Sequence, residues 1–258
     1  LHRFLHSFPT RRSSDLGYLA NVDWHLPFLV YTLPGAALVL SLFLRRHPAV
    51  AEPAQSIQLR NKRIDTRKLV GLMLFYLFIT FAVLAIVYYA AFLVDDYRIR
   101  SSFSGVLIAL FFLAIMLPGL FIDRIIRRLK RWINLVSLLS VAAGLLCLGL
   151  FRSEAMLIVG ALLAGYGYGI MQPVIYDKAA TIAPPRSATL ALSCVMAMNY
   201  LAVLICPFLV DLFRRMLHVR SESFPFLFNA VLVLVVAIVA WRRRDSFTLG
   251  LDKVYYGE

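Results

Sequence analysis

Tyr76 and Thr80 lie four residues apart inside Val70–Val94, a stretch with no charged side chain. At helical spacing the two share a face. The run Ala155–Tyr176 carries Tyr166, Tyr168, Gln172 and Tyr176, and the run Ala188–Val210 carries Asn199 and Tyr200. A polar group in so apolar a setting needs a partner. Phenols, a hydroxyl and amides on a greasy wall can hold a bulky organic molecule, and tyrosine faces attract cations. This is the chemistry of recognition. Catalysis would need paired acids, a serine with a base, or histidines at matched depth. The uncharged runs contain no acid, and His2, His6, His25, His47 and His218 all sit outside their middles. Cys147, Cys194 and Cys206 fall in apolar runs with no metal-ligand spacing and read as small buried residues. The sequence calls for no cofactor and no metal. Tyr88, Tyr89 and Tyr176, near run ends, read as an interfacial aromatic belt.

The elements that must position these groups are long and apolar. Hydrophobic residues make up 61% of the chain and charged residues only 16%. Uncharged runs occur at Leu26–Leu44, Val70–Val94, Phe103–Ile122, Trp132–Phe151, Ala155–Tyr176, Ala188–Val210 and Phe224–Trp241. Each is near the roughly 20 residues that a helix needs to cross a bilayer, and about twice a barrel strand. In lipid only helices or closed barrels satisfy the backbone. A soluble fold of 258 residues could not cover this much apolar surface. The sequence predicts an all-α membrane protein with seven transmembrane helices and the lipid bilayer as its solvent.

The net charge is +13. With the C-terminal end of the first run inside and strict alternation after it, the inner segments hold eighteen Lys and Arg and the outer loops six. That bias is the positive-inside pattern, so the charge points to membrane orientation rather than to nucleic acid. It places the C-terminus in the cytosol of a multi-pass cell-membrane protein, the inner membrane of a bacterium being the expected one. Asp211–Ser223 fits less well, an outer loop with three arginines.

One connection is long and polar: "RRHPAVAEPAQSIQLRNKRIDTRKL", Arg45–Leu69. It reads as a cytosolic linker between two membrane units. Residues 17–44 then hold the last helix of an N-terminal half whose other helices are missing. Residues 70–241 form a six-helix C-terminal domain, and 242–258 a cytosolic tail. The opening stretch "HSFPTRRSSDL", His6–Leu16, back-translates to a run that resembles a widely used DNA-sequencing adapter. Residues 1–16 are therefore expected to be a sequencing artefact.

The most specific stretch is "PGLFIDRIIRRLKR", Pro118–Arg131. Gly119 is expected to let helices approach closely. Asp123 suits a helix N-terminus or an arginine partner. Arg124, Arg127 and Arg128 suit helix C-termini or carboxylates. This stretch resembles the loop signature of the major facilitator superfamily, roughly G-x-x-x-D-R-x-G-R-[RK]. Gly119, Asp123, Arg124, Arg127 and Arg128 match it; Ile126 replaces the second glycine, as in the weaker copy of the family's C-terminal half. "WHLPFLVYTLPGAALVLSLFLRR" (Trp24–Arg46) is similar to the family's sixth helix. "GYGYGIMQPVIYDKAATIAPPRSATLALS" (Gly165–Ser193) is similar to the tenth helix and the start of the eleventh.

The resemblance covers Gly17 to about Arg244, helix six through helix twelve, and is nearest in feel to the drug exporters. It implies a truncated major facilitator fold: two pseudo-symmetric lobes, a mid-membrane cavity and alternating access. It also implies that the second and fifth runs line the cavity, with help from the third and sixth. Tyr76, Thr80, Tyr166, Tyr168, Gln172, Asn199 and Tyr200 are then the cavity candidates, Gln172 foremost. The implied function is ion-coupled export of a small organic solute, with the proton as coupling ion and its carboxylate in the missing half. A non-transporting receptor or scaffold on the same fold is the alternative, and a membrane-embedded enzyme a more distant one. The stripe Ala161, Gly165, Gly169 reads as a helix-packing seam, and Pro118, Pro173 and Pro207 as bends.

Overall fold

The structure is a computed structural model that describes residues 65–184, 187–219, 221–243, 246, 248 and 249. The first expected span and nearly all of the 45–69 linker lie outside the described residues. Within them the chain forms seven helices: α1 (Thr66–Asp96), α2 (Ser102–Gly119), α3 (Ile122–Leu129), α4 (Ile133–Leu150), α5 (Glu154–Ile182), α6 (Ala188–Met216) and α7 (Phe224–Arg242). A short 3-10 turn, Lys130–Trp132, joins α3 to α4. All but α3 are long and apolar enough to cross a bilayer. Short connections make successive spans antiparallel. One end of the bundle therefore carries α3, the start of α1 and the end of α7. The opposite end carries the turns at 97–101, 151–153 and 217–223.

The helices overrun the uncharged runs. α1 begins at Thr66 because the Asp65 carboxylate accepts the Lys68 backbone N–H at 3.3 Å, an N-terminal cap inside the expected linker. α5 runs on through Asp177 and Lys178 to Ile182, and Lys178, expected in a loop, is buried in the helix. α6 runs on to Met216, so Arg214 and Arg215 of the awkward outer loop form its last turn. Helical hydrogen bonding continues past the first charged residue, whereas a search for uncharged runs stops there. Each proline-bearing span stays one continuous helix through Pro118, Pro173 or Pro207.

Lipid tails are as apolar as leucine, so these helices associate through close packing and interhelical hydrogen bonds. α5 is central, packed against α1, α2, α4 and α6. Its stripe does what the spacing predicts: a Cβ on Gly165 would run into the Phe111 carbonyl of α2, and one on Gly169 into that of Ile115. On the other side Ser140 Oγ donates to the Leu163 carbonyl at 2.8 Å. α2 and α6 are the least enclosed spans, presenting Phe112, Met116, Leu117, Tyr200, Leu204 and Phe208 outward.

Gly119 behaves differently from the expectation. Among the described residues a Cβ there would meet no atom within 4 Å, so no helix of this bundle approaches closely at Gly119. It is the last residue of α2, where the chain turns into α3. α3 is amphipathic: Ile122, Ile125, Ile126 and Leu129 pack on Ile133, Ile170 and Val174, with Asp123 in its first turn and Arg127 and Arg128 in its last. Both placements complement the helix dipole.

Candidate functional site

α1 and α5 cross with their polar faces together, and the hydroxyls meet there. Tyr76 Oη lies 2.7 Å from Tyr176 Oη. The Tyr168 hydroxyl donates to Tyr76 Oη at 3.3 Å and lies 3.2 Å from Thr80 Oγ1. Gln172 Nε2 donates to Tyr176 Oη at 3.2 Å and to Tyr76 Oη at 3.4 Å. The Tyr76 and Tyr168 rings stack with centroids 6.5 Å apart, and Tyr76 meets Tyr176 edge-on at 5.4 Å. Three polar side chains on α5 and two on α1 thus form one closed hydrogen-bonded network. Tyr76, Thr80 and Tyr168 are buried; Gln172 and Tyr176 are half-buried and form its open edge. At 1.5 Å per residue Tyr76 sits about 15 Å along α1 from its start, six residues into the uncharged run that begins at Val70.

The periodicity explains the meeting. Residues 168, 172 and 176 fall four apart on one face of α5, as 76 and 80 do on α1. Tyr176 was expected in the interfacial belt because it ends an uncharged run; its spacing from Gln172 was the signal that it belongs here. Tyr88 is likewise drawn inward, donating to the Val203 carbonyl of α6 at 3.0 Å. Tyr166, Asn199 and Tyr200 stand outside the network. Tyr166 is 40% exposed on another side of α5, Tyr200 is 73% exposed on α6, and Asn199 is half-buried beside it.

At the α3 end, Asp123, Arg127, Asp177 and Pro173 line a cavity of about 430 Å³ between α3 and α5. Gly119, Asp123, Arg124 and Arg127 line a smaller one of about 200 Å³. Arg124 lies over the Phe121 ring at 5.9 Å. The inner-loop motif is thus gathered around α3, with Arg128 on its last turn. At the opposite end an open cavity of about 790 Å³ is lined by Asp211, Arg214, Arg215, His218, Val219 and Glu222, with Arg214 paired to Glu222. Nearby, the Tyr97 hydroxyl ties three connections together, 2.9 Å from Ser223 Oγ and donating to the Gly149 carbonyl at 3.2 Å. Among the described residues no three His, Cys, Asp or Glu side chains gather as metal ligands.

Six helices long and apolar enough to cross a bilayer, with a polar network between two of them, define a multi-pass membrane protein. Residues 69–253 match the family model of the Major Facilitator Superfamily, and the chain belongs to that superfamily of transporters. No curated protein matches the chain.

Proposed function

We propose that these helices form the C-terminal lobe of a proton-coupled exporter of small, drug-like organic compounds, working by alternating access. The reading makes the first expected span the last helix of a preceding lobe, which completes the cavity and carries the proton-binding carboxylate. The α1–α5 network is the observation that supports it. Both N–H groups of Gln172 go to tyrosines, and among the described residues no donor reaches its carbonyl oxygen. The half-open edge therefore offers an amide acceptor beside the Tyr176 ring, a pairing that suits an aromatic or cationic solute with a donor group. The outward apolar faces of α2 and α6 are the ones left for the other lobe. The basic α3 end faces the cytosol, in keeping with its arginines. Tyr166, Asn199 and Tyr200 reach substrate on this reading only from the side where the second lobe stands.

The test uses the intact gene product in inverted membrane vesicles with ethidium as the probe. An imposed proton gradient drives its uptake, and Gln172→Ala lowers that uptake at least fivefold at unchanged protein level. Uptake that ignores the gradient removes the coupling, and uptake insensitive to Gln172 removes the site.

A further inference from the structure

The chain returns to the α3 end of the bundle after α7 and seats three described residues there. Leu249 packs on the helical core. Its carbonyl accepts from Asn134 Nδ2, in the first turn of α4, at 3.0 Å. Its N–H donates to Ser246 Oγ at 3.3 Å, which folds the segment into a local turn. Thr248 lies over Gly71, in the second turn of α1: a Cβ on Gly71 would stand 3.0 Å from Thr248 Oγ1 and 3.8 Å from Thr248 Cβ. A Cβ at 71 would press on the Thr248 side chain, which must give by a few tenths of an ångström. Asn134 is 1% exposed, and this bond is what satisfies its buried amide nitrogen.

We infer that Ser246, Thr248 and Leu249, from the chain's own C-terminal segment, act as a strap that clamps the start of α1 to the start of α4. The contacts join residues 177 apart in sequence for Gly71 and Thr248, and 115 apart for Asn134 and Leu249. The first turn of α1 is exposed from Thr66 to Lys68, and Leu69 and Leu72 are the first of its side chains to enter the core. α1 carries Tyr76 and Thr80, so the strap fixes the helix that bears half of the polar network. Thr248 closes over a glycine and Asn134 reaches a backbone carbonyl, so the seat takes a turn of backbone and a small side chain.

Two readouts test the strap, and neither needs a transported solute. A Cβ–Cβ separation near 3.8 Å is that of a disulfide. The pair Gly71→Cys with Thr248→Cys, oxidised with copper phenanthroline in native membranes, should form the 71–248 disulfide in most molecules within minutes, identified by peptide mass spectrometry. Absence of that linkage, with both thiols alkylated after unfolding, overturns the inference. In nanodiscs, a chain ending at Arg243 should exchange the amides of residues 70–75 at least tenfold faster than the full chain. Asn134→Ala, which keeps the segment but removes its bond, should accelerate the same amides by a smaller factor. Exchange at 70–75 unchanged by both alterations overturns it equally.

Discussion

The hydroxyl of Tyr76 stands 2.7 Å from that of Tyr176, a hundred residues away on α5, and the same Tyr76 oxygen accepts from Tyr168 and Gln172. One phenol therefore closes the network. Tyr76→Phe would leave three donors or acceptors of α5 short of a partner in a buried site. Tyr168 keeps Thr80, and Gln172 and Tyr176 keep each other, so a cost of about 0.5–1.5 kcal/mol for each lost bond is expected. Tyr166→Phe, on an exposed hydroxyl outside the network, should stay within about 0.5 kcal/mol. Thermal unfolding in detergent compares the two; equal effects would deny that Tyr76 is the hub.

Gly169 and Gly119 separate packing from motif. A side chain on Gly169 collides with the backbone of Ile115, and backbone cannot rotate aside as a side chain can. Gly169→Val should cost more than about 3 kcal/mol and prevent α2 from seating on α5. Gly119→Ala meets open space and replaces glycine in a helix with a better helix former, so it should be neutral or stabilising by up to about 1 kcal/mol. Protein yield and melting temperature report both. A collapse of Gly119→Ala would restore the close-approach role that the structure does not show.

Where the charge pattern was read alone, it marked too short a helix at Asp177 and Arg214, because helix ends are set by hydrogen bonding and capping rather than by the first charge. Spans and the α5 glycine stripe were legible because both depend on composition and spacing, which the chain displays directly. The pairing of residues 76 and 80 with 168 and 172 was half legible. Each face could be seen, but which helix lay opposite came only from the resemblance. Tyr176 was hidden by its position at a run end. Nothing in Ser246–Leu249 announces the seat at Gly71 and Asn134, since its contacts are to a glycine and a backbone carbonyl.

Arg127 tests the orientation that the arginines argue for. A cysteine in its place, on the last turn of α3, should react with a membrane-impermeant maleimide in inverted vesicles and stay protected in right-side-out ones. The reverse pattern would turn the whole arrangement over and take the cytosolic placement of α3 with it.

Asp65 gives the one pH dependence that geometry supports outside the spans. The backbone N–H of Lys68, then its ammonium, hold the Asp65 carboxyl below its ordinary 3.8. A depressed folded value means that the cap is fully present above the unfolded pKa and is lost as pH falls through the folded one. The first turn of α1 should therefore fray below about pH 4. Asp65→Asn, which can still cap but does not titrate, should remove that step. Secondary chemical shifts of residues 66–69 followed from pH 6 to 2.5 decide it; a step retained in Asp65→Asn would mean another group caps α1.

His218 has a backbone φ of 53°, in the left-handed region, just past the end of α6. Its N–H donates to the Arg215 carbonyl at 3.2 Å and that of Val219 to Arg214 at 3.1 Å, the paired closure in which helices favour glycine. A side chain there costs about 1–2 kcal/mol. Histidine at this place lines the open cavity beside Asp211 and Glu222, so its side chain occupies a charged setting that glycine would vacate. If backbone strain outweighs those interactions, as expected for an open cavity where charges are screened by water, His218→Gly raises stability by about 1 kcal/mol. A loss of stability instead would show that the imidazole contributes more at this end of the bundle than the strain costs. The melting temperature of His218→Gly against that of the unaltered chain decides between the two.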